Sequence, residues 1–249
     1  SIPQLIGSLL LIAFLVFVPL MLVSSEVEAA SAGNLDLDHV ETDFGDKDSL
    51  QRGFKYYINY CVSCHELGYA RYEKTADDLE IPHDLVLANL VFDDSLIGEL
   101  ILNSMSTDDA ENWFGAAPPD LTLAGRVHSP DWIYTYLRSF YNDSSRPLGT
   151  NNTIYENVGM PNVLYELQGD VSRECDDDGE HCELHSAGNG LLSETEFDTA
   201  IADLTNFLYY VGEPVRERRQ SIGFWVLAFL GILYILVFLM SKEFSKDYH

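Results

Sequence analysis

Apolar residues are distributed in two ways along this chain. Residues 5–23 and 222–240 are almost unbroken hydrophobe, whereas between them apolar positions recur at helical intervals or show no period. Asp48 to Tyr60 places Leu50, Phe54, Tyr57 and Ile58 on one helical face. Ser129-Pro130-Asp131 supplies a cap residue and a first-turn proline for a helix through Trp132 and Leu137. Ser193-Glu194-Thr195-Glu196 has capping-box form and opens an amphipathic helix through Phe197, Ile201, Leu204, Phe207 and Leu208 to about Tyr210. Asp94 to Asn103 reads as a further short helix, and Gly33 to Gly45 as an irregular acidic lead-in. No run alternates as a strand, and there is no internal repeat. The pattern predicts a mostly α body with long Gly- and Pro-punctuated loops, which suit a cofactor that replaces part of the hydrophobic core.

The two apolar ends change the picture. At about 1.5 Å per helical residue, each approaches the roughly 30 Å hydrocarbon thickness of a bilayer. The first is followed by Ala30-Ser31-Ala32, a small-x-small site of the signal-peptidase kind, so residues 1–32 read as an export signal, with a retained anchor as the alternative. The second is flanked by Arg216, Arg218 and Arg219 before it and by Lys242 and Lys246 after it, and reads as a single C-terminal transmembrane anchor within 213–249. That leaves 33–212 as the folded domain. Charge bias alone would mildly favour the arginine end as cytoplasmic, but an exported body requires the reverse. The body is very acidic, with 40 Asp and Glu against 14 Lys and Arg and a formal net charge of -26. Such a surface excludes nucleic acid as a partner and attracts basic proteins, unless it serves solubility alone.

The chemistry centres on Cys61-Val62-Ser63-Cys64-His65. C-x-x-C-H is the attachment signal for haem c: two thiols add to the vinyl groups as thioethers, and the adjacent imidazole takes an axial position on iron. A redox C-x-x-C would call for a βαβ setting, and a zinc site for a second ligand pair at finger spacing. A low-spin electron carrier needs a sixth ligand, usually Met or His. Met21 and Met240 lie in the apolar ends, which leaves Met105 and Met160. Met160 lies between Gly159 and Pro161 in a stretch without helical pattern, a setting suited to presenting a thioether; the other histidines are alternatives.

Cys61 to His65, then Ala116-Ala117-Pro118-Pro119-Asp120-Leu121, then Gly159-Met160-Pro161-Asn162-Val163-Leu164, and one C-terminal span together resemble the cytochrome c1 family. These are the haem subunits of ubiquinol–cytochrome c oxidoreductase (cytochrome bc1) complexes, here of bacterial type, and the resemblance runs from Leu35 to the C-terminus. It implies a class I cytochrome c-like haem domain outside the inner membrane, facing the periplasm. It also implies one covalent haem c, cytochrome b and Rieske iron–sulfur partners, and a soluble cytochrome c as electron acceptor. The chain would then be an electron carrier within a respiratory enzyme complex, making and breaking no substrate bond of its own; the complex would be dimeric. Pro118 falls in the haem-pocket element. Arg126 matches the arginine that pairs with a haem propionate, although Val127-His128 departs from the glycines usual there. Tyr69, Arg71 and Tyr72 match a segment lining the haem edge. The residues alone also allow a free-standing tethered cytochrome c or a haem-based ligand sensor.

Cys175 and Cys182 remain. In an exported chain such a leftover pair suggests a disulfide. A metal site from Cys175, His181, Cys182 and His185 is the alternative.

Overall fold

The computed structural model describes residues 36–176 and 182–246, all within the unit Leu35–His249. The expected export signal at 1–32 lies outside the described residues.

An irregular segment leads into helix α1 (Lys47–Tyr60), capped by the Asp46 side chain on the Ser49 amide. Strand β1 (Leu67–Arg71), short helices α2 (Tyr72–Asp78) and α3 (His83–Asn89), and strand β2 (Leu100–Ile101) follow. Helix α4 (Thr107–Phe114), one-turn α5 (Ala124–Val127) and α6 (Pro130–Arg138) come next, then strands β3 (Phe140–Asn142) and β4 (Thr150–Asn152). The one-turn α7 (Tyr165–Gln168) precedes a hairpin of β5 (Val171–Cys175) and β6 (Cys182–Ser186). Two long helices end the described chain, α8 (Glu194–Gly212) and α9 (Arg216–Phe244).

The core is the crossing of α1 and α8. Phe54 stacks on Phe207 with ring centroids 5.1 Å apart, and Leu50, Tyr57, Ile201 and Leu204 close around them. Burying side chains of this size contributes about 1.5–3 kcal/mol each. Gly53 makes the close approach possible: a Cβ there would lie 2.1 Å from the Asp203 carbonyl oxygen. The crossing is also polar at its edge. Arg52 donates through Nε and a terminal nitrogen to the two carboxylate oxygens of buried Asp203, at 2.6 and 2.9 Å. Asn206, also buried, donates to the Asp43 carbonyl and the Ser49 hydroxyl, drawing the lead-in onto the core.

The helix starts predicted at Ser129 and Ser193 are present, the latter with both halves of its capping box. The helix expected over Asp94 to Asn103 is not. Asp93 takes the Ser95 amide in a local turn, and the following backbone pairs outward, accepting from Tyr72 and Glu73 and forming β2 against β1. Among the described residues, three two-stranded antiparallel sheets are present where no strand was expected. They are two to five residues long, too short to show alternation. In the third, Cys175 and Cys182 are directly opposite and disulfide-bonded. That bond engages both cysteines of the alternative metal site, and His181 lies outside the described residues.

Helix α9 is 29 residues long, with none of its side chains buried and Phe224, Trp225, Leu227 and Phe229 among those exposed. So large an apolar surface needs a lipid environment, and the length suffices to cross a bilayer. Its base is tied to the domain: Arg216 lies over the Tyr209 ring at 5.0 Å and donates to its hydroxyl.

Candidate functional site

The C-terminal end of α1 feeds directly into Cys61, Cys64 and His65, so the helix that builds the core also positions the motif. The turn is held from several sides. The Cys61 carbonyl accepts from the amides of Cys64 and His65 at 3.1 and 2.8 Å. Asn103 Nδ2 donates to the Cys64 carbonyl at 2.7 Å. Fully buried Tyr57 donates its hydroxyl to the His65 carbonyl at 2.7 Å.

All three motif residues line one cavity of about 530 Å³, within the range of cofactor pockets. Its walls are largely apolar. Phe114 and Ala116–Leu121 form one side, with Leu123, Ala124, Val127 and His128 of and around α5. Trp132, Ile133, Tyr136 and Leu137 come from α6, Leu204 and Leu208 from α8, and Val158–Pro161 from the loop after β4. Gly125 lets α5 lie against α8, since a Cβ there would be 2.7 Å from the Tyr209 Cα.

Two features fit this site to a covalently held haem. His65 Nδ1 lies 2.8 Å from the Pro119 carbonyl oxygen. A carbonyl only accepts, so Nδ1 carries the proton and Nε2 keeps its lone pair for a metal, the usual outer-shell arrangement for a ligating histidine. Desolvation lowers the His65 pKa, against the opposing pull of the hydrogen bond to the Pro119 carbonyl. Met160 lies in the wall of the same cavity, so a nitrogen and a sulfur ligand are available to one iron. Cys61 is buried, which raises its thiol pKa to about 12, while Cys64 is partly exposed. Burial in apolar surroundings disfavours the Cys61 thiolate.

The Pro-Pro-Asp element is locked to the motif by Asp120. Its carboxylate accepts from the Gly68 amide and from the amide and hydroxyl of Thr122, while the Leu121 amide donates to the Glu66 carbonyl. Pro118 lines the cavity. Met105 does not.

The other expected pocket residues lie elsewhere. Arg126 is not in the cavity wall; its guanidinium donates to Glu213, which also accepts from Arg219 at 2.6 Å. Its stem passes over Gly212, which leaves room for it. Arg126 thus joins α5 to the base of α9. Tyr69 is 78% exposed, Arg71 donates to the Gly98 carbonyl, and Tyr72 is packed in the core. None of these three lines the cavity. Sequence reasoning quoted Pro119 only within the Pro-Pro-Asp element and missed Tyr57, Asn103 and Tyr136 as site residues. Of those three, Tyr57 carried a signal, its place on the apolar face of α1, and that signal indicated packing alone.

The Cytochrome C1 family profile matches residues 102–248. Cytochrome c1 of Allochromatium vinosum is 46% identical over 247 residues, spanning 97% of this chain and 99% of that protein. The ammonia monooxygenase gamma subunit of Nitrosomonas europaea is 37% identical over 229 residues, 92% of this chain and 96% of its own. Cytochrome c1 of Rhodospirillum rubrum is 23% identical over 247 residues. The profile begins after the C-x-x-C-H motif, but the full-length similarity covers the motif as well. With its attachment motif, its apolar cavity and this similarity along nearly its whole length, the chain belongs to the cytochrome c1 family, electron-transfer proteins with a covalently bound haem c.

Proposed function

We propose that this chain passes electrons from a Rieske iron–sulfur protein to a soluble cytochrome c, as the haem subunit of a dimeric quinol–cytochrome c reductase built with cytochrome b. Cys61 and Cys64 would hold the haem as thioethers, and His65 Nε2 and Met160 Sδ would be the groups offered to its iron. When bound, the haem supplies a one-electron ferric–ferrous couple. The chain's own residues orient it: Pro119 fixes the His65 tautomer, Asp120 fixes the Pro118-Pro119 wall, and the apolar lining keeps water from the iron. By itself the protein makes and breaks no substrate bond. Its domain faces the periplasm, since thioether attachment and a disulfide both belong to an oxidising compartment, and α9 anchors it in the inner membrane.

One observation carries this reading: His65, with Nε2 left free, and Met160 border one cavity at the end of the C-x-x-C-H helix. Co-purification from detergent-solubilised membrane tests the assembly. Recovery with a cytochrome b and a Rieske protein is expected. The name of the 37% identical relative motivates a second assembly, with an ammonia monooxygenase. Recovery with other monooxygenase subunits and without cytochrome b would favour it, and recovery alone would point to a free-standing tethered cytochrome.

A further inference from the structure

Met160 has a second neighbour besides the cavity. The Tyr136 hydroxyl donates to Met160 Sδ at 3.5 Å. A thioether sulfur is a weak acceptor with two lone pairs, so one can face the cavity while the other takes this bond.

Tyr136 is held in place independently of Met160. Its ring is stacked on Trp132 at 4.9 Å and 7°, and Phe140 meets it edge-on at 5.3 Å. Its backbone carbonyl accepts from Asn152 Nδ2 at 2.8 Å. Asn152 is fully buried, and its own Oδ1 accepts from the amides of Ile154 and Tyr155, where the loop bearing Met160 begins. One amide side chain therefore fixes both the helix carrying the donor and the loop carrying the acceptor. Tyr136 belongs to the largely apolar cavity wall, where a phenol left without a partner would be costly.

We propose that Tyr136 is a positioning residue that tunes the axial thioether, holding Met160 Sδ in orientation and drawing electron density from it. This rests on Met160 being the sixth ligand. A sulfur that shares its density with a hydroxyl donates less to iron, which disfavours the ferric form relative to the ferrous and raises the midpoint potential. Tyr136 thereby sets part of the driving force for electron delivery and removal without touching iron.

The test is Tyr136→Phe, which removes one oxygen and keeps the stacked ring, made in the full membrane-anchored protein and read by redox potentiometry. Losing one hydrogen bond should shift the ferric-to-ferrous ratio at fixed ambient potential by roughly fivefold, or about 40 mV downward at 59 mV per tenfold. The low-spin spectrum and covalent haem content should be retained. Met160→Leu run in parallel separates the two ideas. If Met160→Leu leaves the low-spin spectrum intact, the axial assignment fails. If Met160→Leu opens the site but Tyr136→Phe leaves the potential unchanged or raises it, only the role of Tyr136 fails. Loss of the low-spin spectrum in Tyr136→Phe would also overturn it, by making the residue a structural support of the loop.

Discussion

His65 Nδ1 and the Pro119 carbonyl oxygen, fifty-four residues apart in sequence, lie 2.8 Å from each other. This contact leaves Nε2 as the nitrogen available to a metal and ties the attachment motif to the Pro-Pro-Asp wall. The motif and the wall therefore act as one unit.

The proposed attachment through the Cys61 and Cys64 sulfurs gives a direct expectation. The purified protein should retain haem through denaturing electrophoresis and resist acid-acetone extraction. Replacing both cysteines by Ala should abolish retention, and replacing either one should leave a single thioether visible in the pyridine haemochrome spectrum. Haem extractable from the unaltered protein would contradict the attachment.

Met160→Leu should convert a closed low-spin site into one that binds carbon monoxide in the ferrous state and should lower the potential, because thioether ligation favours ferrous iron. Met105, outside the cavity, serves as the control. A spectrum disturbed by Met105→Leu and not by Met160→Leu would reverse the assignment.

Gly53→Ala should destabilise the domain by about 1–3 kcal/mol or more, because the new methyl group would meet the Asp203 carbonyl where α1 crosses α8. Haem incorporation should fall with it, since the same helix ends in the motif. Thermal unfolding of the purified domain measures the first effect and haem per polypeptide the second.

Replacing both Cys175 and Cys182 by Ser removes a short loop closure, worth about 2.5 kcal/mol in the chain-entropy account. For a domain of this size that corresponds to a fall of roughly 5–10 °C in Tm. The haem spectrum should not move, because neither residue borders the cavity. A changed spectrum would show that the hairpin supports the site.

The acidic surface should steer a basic cytochrome c. The Debye length falls from about 30 Å at 0.01 M salt to about 8 Å at 0.15 M. The second-order rate of electron transfer should fall about tenfold or more over that interval, through association rather than transfer. A rate flat in salt, and equal for acidic and basic acceptors, would leave the charge a solubility role.

Glu213 offers a test by pH. Hydrogen bonding from Arg219, reinforced by the charge of Arg126, holds its carboxyl below the usual range. A depressed folded-state pKa contributes stability above the unfolded value that is lost as pH falls through the folded one. Glu213→Gln should therefore loosen the junction of α5 with α9 at neutral pH and make little difference in acid. Hydrogen exchange at the base of α9 measures this.

The sequence by itself determined the long helices, the attachment chemistry and the membrane span, because each is a local signal. Helical periodicity placed α1 and α8, capping residues placed the starts of α6 and α8, and an uninterrupted apolar run placed α9. The disulfide was legible from cysteine count and compartment. The tertiary structure alone decided the strands, since two to five residues are too few for alternation and their partners are brought by the fold. It also decided where Arg126 goes, because Glu213 and Gly212 reach it only through the packing of α5 on α8. The groups that complete the site, the Pro119 carbonyl, Asn103 and the Tyr136 hydroxyl, act through hydrogen bonds to residues 24 to 54 positions away. Periodicity and spacing report which face a residue occupies within its own element; they do not report which distant atom it meets there.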